Sequence, residues 1–174
     1  RAEGDVVTIL AGVEADRTLG SPIALSIANA DTRPRDYASL AAVPRPSHAD
    51  YTSRMKYGPG AASGGGRTSA RETAGRVAAG AIAGKLLAQM GVDIVAYVQS
   101  VGTVDADGID PLTLTRDAVD QTAVRCPDAA GAERMMQAIL AAKAAQDSVG
   151  GVVACVCRGV PAGWGEPVFD KLNA

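Results

Sequence analysis

The densest group of reactive side chains is Gly64-Gly65-Gly66-Arg67-Thr68-Ser69-Ala70-Arg71-Glu72-Thr73. A glycine run lets backbone amides come close to an anion. A helix starting behind it adds unpaired N–H groups and the positive end of its dipole. Thr68 and Ser69 contribute hydroxyls, while Arg67 and Arg71 contribute planar forks that match phosphate oxygens. These residue types in this order predict a phosphate site. It is not a Walker loop, because no Gly-Lys-Ser/Thr follows the glycines. The same ten residues also read as a flexible loop running into a capped helix with solvated arginines, and spacing alone leaves both readings open.

A second group is Pro44-Arg45-Pro46-Ser47-His48-Ala49-Asp50-Tyr51, which holds the chain's single histidine. Two prolines stiffen the loop, and Arg45, Asp50 and Tyr51 flank the ring. A histidine here can exchange a proton near neutral pH, and an anionic ligand beside it would raise its pKa. It can equally be a hydrogen-bonded surface residue. One histidine without cysteine or carboxylate partners at ligand spacing argues against structural zinc. Nothing marks the strand–turn–helix elbow of a serine hydrolase.

These two groups must be carried by regular elements. Asp5–Val13 and Pro22–Ala28 are rich in β-branched residues around a turn-like break, predicting two strands in a hairpin. Residues 30–66 read as one long loop, and a loop of that length in a compact protein is functional or disordered. Ser69–Met90 reads as a helix, with Ser69 and Glu72 as a capping box and Gly91 as its stop. Gly75, Ala79 and Ala83, joined by Gly80 and Gly84, form a small-residue stripe for close packing, so Ala79→Leu is expected to overfill it at about 1–3 kcal/mol. Val92–Val104 reads as a strand, 105–121 as a loop with a short helix, and 127–146 as a helix with Ala132, Met135, Met136, Ile139 and Leu140 on its apolar face. A strand over 149–160, a turn at 161–165 and a helix from Glu166 complete an α+β layered arrangement.

Composition narrows the function classes. The 174 residues suit one domain or half of a larger one, and 17 basic against 19 acidic side chains leave a net charge of −2. That balance argues against a nucleic-acid-coating protein. Apolar residues make up 47% but aromatics only 3%, so the core must be built from small side chains. No apolar run reaches the ~18–20 residues of a membrane span, so no membrane partner is expected. Cys126, Cys155 and Cys157 are odd in number, and the C-x-C pair is too tight for an ordinary disulfide. Buried thiols in a reducing compartment are expected. The chain opens on Arg1 and stops at Ala174, and both ends read as cut from something longer.

Four blocks in order, RPSHADYTSRMKYG, ASGGGRTSARETAGRVAAGAIAGKLL, RCPD and DSVGGVVACVCRGVPAGWGEPVFDKLNA, resemble chorismate synthase. The opening DVVTILAGVEADRTLGSPIAL and DTRPRDYASL are similar to the segment before that family's histidine loop. The likeness covers nearly the whole of 1–174, which would be the central part of a single domain. Ser47 and the ASGGG approach resemble the eukaryotic-type members.

The resemblance implies a β-α-β sandwich with helices between antiparallel sheets, incomplete in this chain, assembled as a homotetramer. It implies a lyase that ends the shikimate pathway by 1,4-anti elimination of phosphate from 5-enolpyruvylshikimate 3-phosphate. Reduced FMN is required, regenerated by NADPH or another reductant, in the cytoplasm or the plastid stroma. By position, His48 resembles the histidine near the flavin. Arg67, Thr68 and Ser69 match the FMN-contacting turn, and Arg45 and Arg71 match arginines that face the substrate. Lys56 and Tyr57 would line the pocket. The Gly-Glu-Ser-His-Gly segment with the family's second histidine is not in this chain, so turnover by the 174 residues alone is not expected. An inactive homologue that only binds flavin or phosphate, or a structural fragment, are the alternatives.

Overall fold

The computed structural model describes residues 4–30, 43–58, 66 and 69–165. The chain divides into two compact units, 1–83 and 84–174.

In the first unit, β1 (Val7–Ala11) pairs antiparallel with β4 (Ala24–Ile27), Val7 facing Ile27 and Thr8 facing Ser26. The expected hairpin is present, but its first strand is interrupted. Gly12 sits at φ 86°, and a Cβ there would lie 2.5 Å from the Pro22 carbonyl oxygen, so the chain turns only because that atom is missing. Beyond the break, β2 (Val13–Glu14) and β3 (Arg17–Thr18) form a small second hairpin. The segment read as loop over 30–66 contains a helix, α1 (Asp50–Tyr57). Asp50 lies in its first turn and Arg54 and Lys56 in its last, matching the helix dipole. Gly58 ends it at φ 84°, donating its amide to the Arg54 carbonyl.

A single 3-10 turn, Ala70–Glu72, leads into α2 (Thr73–Gln89). Ser69 caps as expected, its hydroxyl accepting the Arg71 amide at 3.2 Å. The reciprocal half of the capping box is replaced, because the Ser69 amide donates to the Gly66 carbonyl at 3.0 Å. At the other end Gly91 adopts φ 77°, and the amides of Gly91 and Val92 donate to the carbonyls of Ala88 and Leu87, closing the helix as the sequence requires. The small-residue stripe differs from expectation. No residue of α2 is buried, and a Cβ added at Gly75, Gly80 or Gly84 would meet nothing within 4 Å. Among the described residues the stripe has no partner to be overfilled.

The second unit holds a three-stranded antiparallel sheet in the order β6-β5-β7, from β5 (Asp93–Val101), β6 (Val104–Asp105) and β7 (Gly151–Arg158). The strand read over 92–104 is therefore two strands joined through Gly102-Thr103. Two helices pack here, α3 (Arg116–Asp120), capped by the Thr115 hydroxyl, and α4 (Ala129–Ala144). Val101, Cys126, Ala132 and Met135 form one buried cluster, and Val95, Leu114 and Val119 form another. Of the apolar face assigned to α4, Leu140 stays 47% exposed. The cysteines divide: Cys126 is fully buried, whereas Cys155 and Cys157 are exposed on β7 and correct the expectation of three buried thiols. Their spacing of two puts both on one side of the strand, opposite Ala154 and Val156. The turn at 161–165 is present, and the helix expected from Glu166 lies outside the described residues. Mixed helices and wholly antiparallel sheets agree with the α+β reading.

Candidate functional site

All of the sequence-predicted site residues fall in the first unit. The histidine loop is clasped at its two ends. One carboxylate, that of Asp50, receives three donors from Arg45: the backbone amide at 3.2 Å, Nε at 2.7 Å and Nη2 at 2.9 Å. A bidentate guanidinium–carboxylate pair is the strongest form of this contact, and both side chains are only 22% exposed. The Arg45 side chain and amide hold Asp50 far below the usual carboxylate range. Between the clasped residues, Ser47 adopts φ 57° and turns the chain back. His48 Nδ1 then lies 2.8 Å from the Pro46 carbonyl oxygen. A carbonyl only accepts, so Nδ1 carries the proton and Nε2 is the nitrogen available to a ligand. The ring is exposed to solvent.

Arg67 and Thr68 of the glycine–arginine turn lie outside the described residues. Ser69 and Arg71 are described. The Ser69 hydroxyl accepts the Arg71 amide and keeps its own proton to donate. The Arg71 guanidinium is not a solvated charge, the bland alternative for this turn. Its Nη1 pairs with Asp5 at 2.5 Å and its Nη2 donates to the Ala28 carbonyl at 3.1 Å, with the side chain 23% exposed. Asp5 precedes β1 and Ala28 follows β4, so Arg71 ties both ends of the hairpin to the start of α2. Lys56 and Tyr57, the last two residues of α1, are exposed, with Lys56 Nζ 5.3 Å from the Tyr57 ring centre.

Sequence reasoning did not single out Asp50 and Asp5 as partners of these arginines. For Asp50 a signal existed, because a five-residue separation across Pro46 is a tight turn that brings opposite charges together. For Asp5, far away in sequence, there was none. The second unit also holds a cleft of about 220 Å³ lined by Asp107, Asp110, Asp128, Thr113 and Thr115. The Gly131 and Asp107 amides keep the Asp128 carboxyl below its ordinary value, so the cleft is negative and wrong in sign for a phosphate. Among the described residues no group of three histidine, cysteine or acidic side chains is placed to hold a metal, and no helix is long and apolar enough to cross a membrane.

A family profile described as chorismate synthase matches residues 1–174. The chain is 53% identical over 175 residues to the chorismate synthase of Thermosynechococcus vestitus, covering 100% of this chain and 48% of that protein. It is 52% identical over 184 residues to the chorismate synthase of Saccharomyces cerevisiae, covering 49% of that protein. A crystal structure of chorismate synthase superimposes with a TM-score of 0.63 at 30% identity, over 87% of this chain and 44% of that one. The chain thus spans about half the length of the curated relatives it matches. With a match that runs from its first residue to its last and carries the histidine loop and the glycine–arginine turn inside it, the chain belongs to the chorismate synthase family.

Proposed function

We propose that the protein to which this chain contributes converts 5-enolpyruvylshikimate 3-phosphate to chorismate by 1,4-anti elimination of phosphate, with reduced FMN. In that reaction the C–O bond to phosphate breaks with its electron pair going to the leaving group. A ring C–H bond breaks at the far end of the allylic system, its pair forms a double bond to the adjacent alkene carbon while the original double bond shifts to the carbon that loses phosphate, and one proton is released. The single observation that carries the reading is the whole-chain family match, which includes both predicted site segments.

The donor chemistry suits anions. His48 offers Nε2 as a donor once a second proton charges the ring, Ser69 offers a hydroxyl proton, and Arg71 places a guanidinium at the head of α2. Arg67, Thr68 and Ser69 would hold the flavin, and Arg45 and Arg71 would face the substrate's phosphate and carboxylates. Bound there, reduced FMN would supply electron density for the loss of phosphate, with no net redox change. His48, when protonated, would donate from Nε2 to an anionic charge beside it, and Arg71 would balance the departing phosphate. Regeneration by NADPH, a homotetramer, and a cytoplasmic or plastid setting belong to the same proposal.

A second reading, a chain that holds ligand without turning it over, is favoured by one observation: α2, which begins two residues after Arg71, buries none of its residues. Titrating the chain with FMN, in the presence and absence of 5-enolpyruvylshikimate 3-phosphate, tests both. Saturable flavin binding that the substrate tightens, and that Arg71→Ala weakens, is the expected result. Binding accompanied by chorismate formation under reducing conditions overturns the second reading. A folded chain that binds neither ligand would mean that the site forms only in the longer protein, and overturns the expectation that these 174 residues bind by themselves.

A further inference from the structure

Resting on the reading of His48 as the histidine of a phosphate-eliminating site, we propose that Asp50 is its positioning residue. Its carboxylate, forked by Arg45, closes the turn that fixes the imidazole proton on Nδ1 and leaves Nε2 to the ligand. Neither Asp50 nor a tautomer is implied by the residue types alone. Both follow from the geometry of six residues.

Three donors from one residue converge on one carboxylate, so the ends of the 45–50 segment cannot separate without breaking a charge-assisted fork. Inside the clasp, Ser47 stands at φ 57°, a conformation in which a Cβ crowds the backbone. Such a residue persists when its surroundings over-determine it, and here the surroundings are the Arg45–Asp50 fork and the prolines at 44 and 46. The reversal at Ser47 folds the next ring back onto the Pro46 carbonyl, 2.8 Å from Nδ1. Which ring nitrogen is protonated is set by the bond the other makes. A free neutral histidine carries its proton mainly on Nε2, so an Nδ1 proton is the signature of the closed turn. Asp50 also opens α1, and the Thr52 hydroxyl donates to the Ala49 carbonyl. The loop and the helix start are therefore one piece, and Asp50 sits at their junction without touching the ring.

The chain has a single histidine, which makes the test direct. With 15N-labelled histidine, the neutral ring is expected to carry its proton mainly on Nδ1. In Asp50→Ala the ratio of Nδ1-protonated to Nε2-protonated ring should fall by about fivefold, the worth of one ordinary net hydrogen bond. Asp50→Glu should recover part of it. Thr52→Val, which loosens the helix start but leaves the fork, should not change it. Amide signals of the paired strands β1 and β4, in the same unit as the substitutions, report that each variant is folded. A wild-type ratio equal to that of a free histidine peptide overturns the proposal. So does an unchanged ratio in Asp50→Ala, or a Thr52→Val effect as large as that of Asp50→Ala. No ligand enters the measurement, so a locked ring sustains the role of Asp50 whatever the flavin titration shows, and the two readings fail separately.

Discussion

The two units place their apolar side chains differently. Among the described residues every buried hydrophobic side chain, from Val92 and Val95 to Met135, lies in 84–174. In the described part of 1–83 the one buried residue is Gly12, while Ile9, Leu10 and Val77 are at least half exposed. Yet the histidine loop and the glycine–arginine turn both belong to the first unit. Its geometry is held by polar struts, Arg45 to Asp50 and Arg71 to Asp5 and Ala28. The second unit is held by packing. The candidate site residues are thus set by directional contacts, and the hydrophobic bulk is spent elsewhere.

The largest effect expected from this contrast is in the second unit. Met135 is fully buried, between Val101, Cys126 and Ala132. Met135→Ala should destabilise by about 2–5 kcal/mol, as truncating a core methionine does. Thermal unfolding followed by amide exchange should show the loss concentrated in β5, β7 and α4. A loss below about 1 kcal/mol would mean the cluster is not a core and would erase the distinction.

A middle-sized effect separates the two kinds of pKa shift. Asp50 is lowered by its hydrogen-bonded charge partner, whereas Cys126 is raised first of all by burial. Since the folded value of Asp50 lies below its ordinary 3.8, the clasp contributes fully above that pH and is lost only as acid passes through the lowered value. Both side chains reach solvent, so salt should screen the pair. At about 1 M salt, where the screening length is about 3 Å, the Asp50 carboxyl titration should move up toward its ordinary value, while the Cys126 thiol should not move. Equal salt responses in the two groups would break the comparison.

How much of this was legible in the sequence follows the same division. The ends of α2 were, because Ser69 and Gly91 act locally through their own backbone. The helix α1 was not, although Asp50, Lys56 and Gly58 are ordinary start and stop signals, because eight residues between prolines and glycines give too little apolar periodicity. The split of 92–104 hid in Gly102-Thr103, since apolar residues continue on both sides. Cys155 and Cys157 alternate with other apolar residues, so neither face of β7 announces itself as the inner one. The site residues could be named by type, whereas Asp50 and Asp5 emerged only when folding brought them to the arginines.

The smallest effect is the most telling for the first unit. A stripe such as Gly75, Ala79 and Ala83 signals close packing in sequence, and on that basis Ala79→Leu would cost about 1–3 kcal/mol by overfilling. In the structure Ala79 is exposed and the neighbouring glycines face open space. The only remaining cost is intrinsic, and leucine is nearly as good a helix former as alanine. Ala79→Leu in this chain should therefore shift stability by no more than about 0.5 kcal/mol, as an exposed substitution does. A thermal midpoint lowered by several degrees would show that the stripe is covered in solution, and α2 would then join the second unit as an element held by packing. An unchanged midpoint leaves α2 as a helix specified by its caps and propensity, its head tied by Arg71 to Asp5 and Ala28.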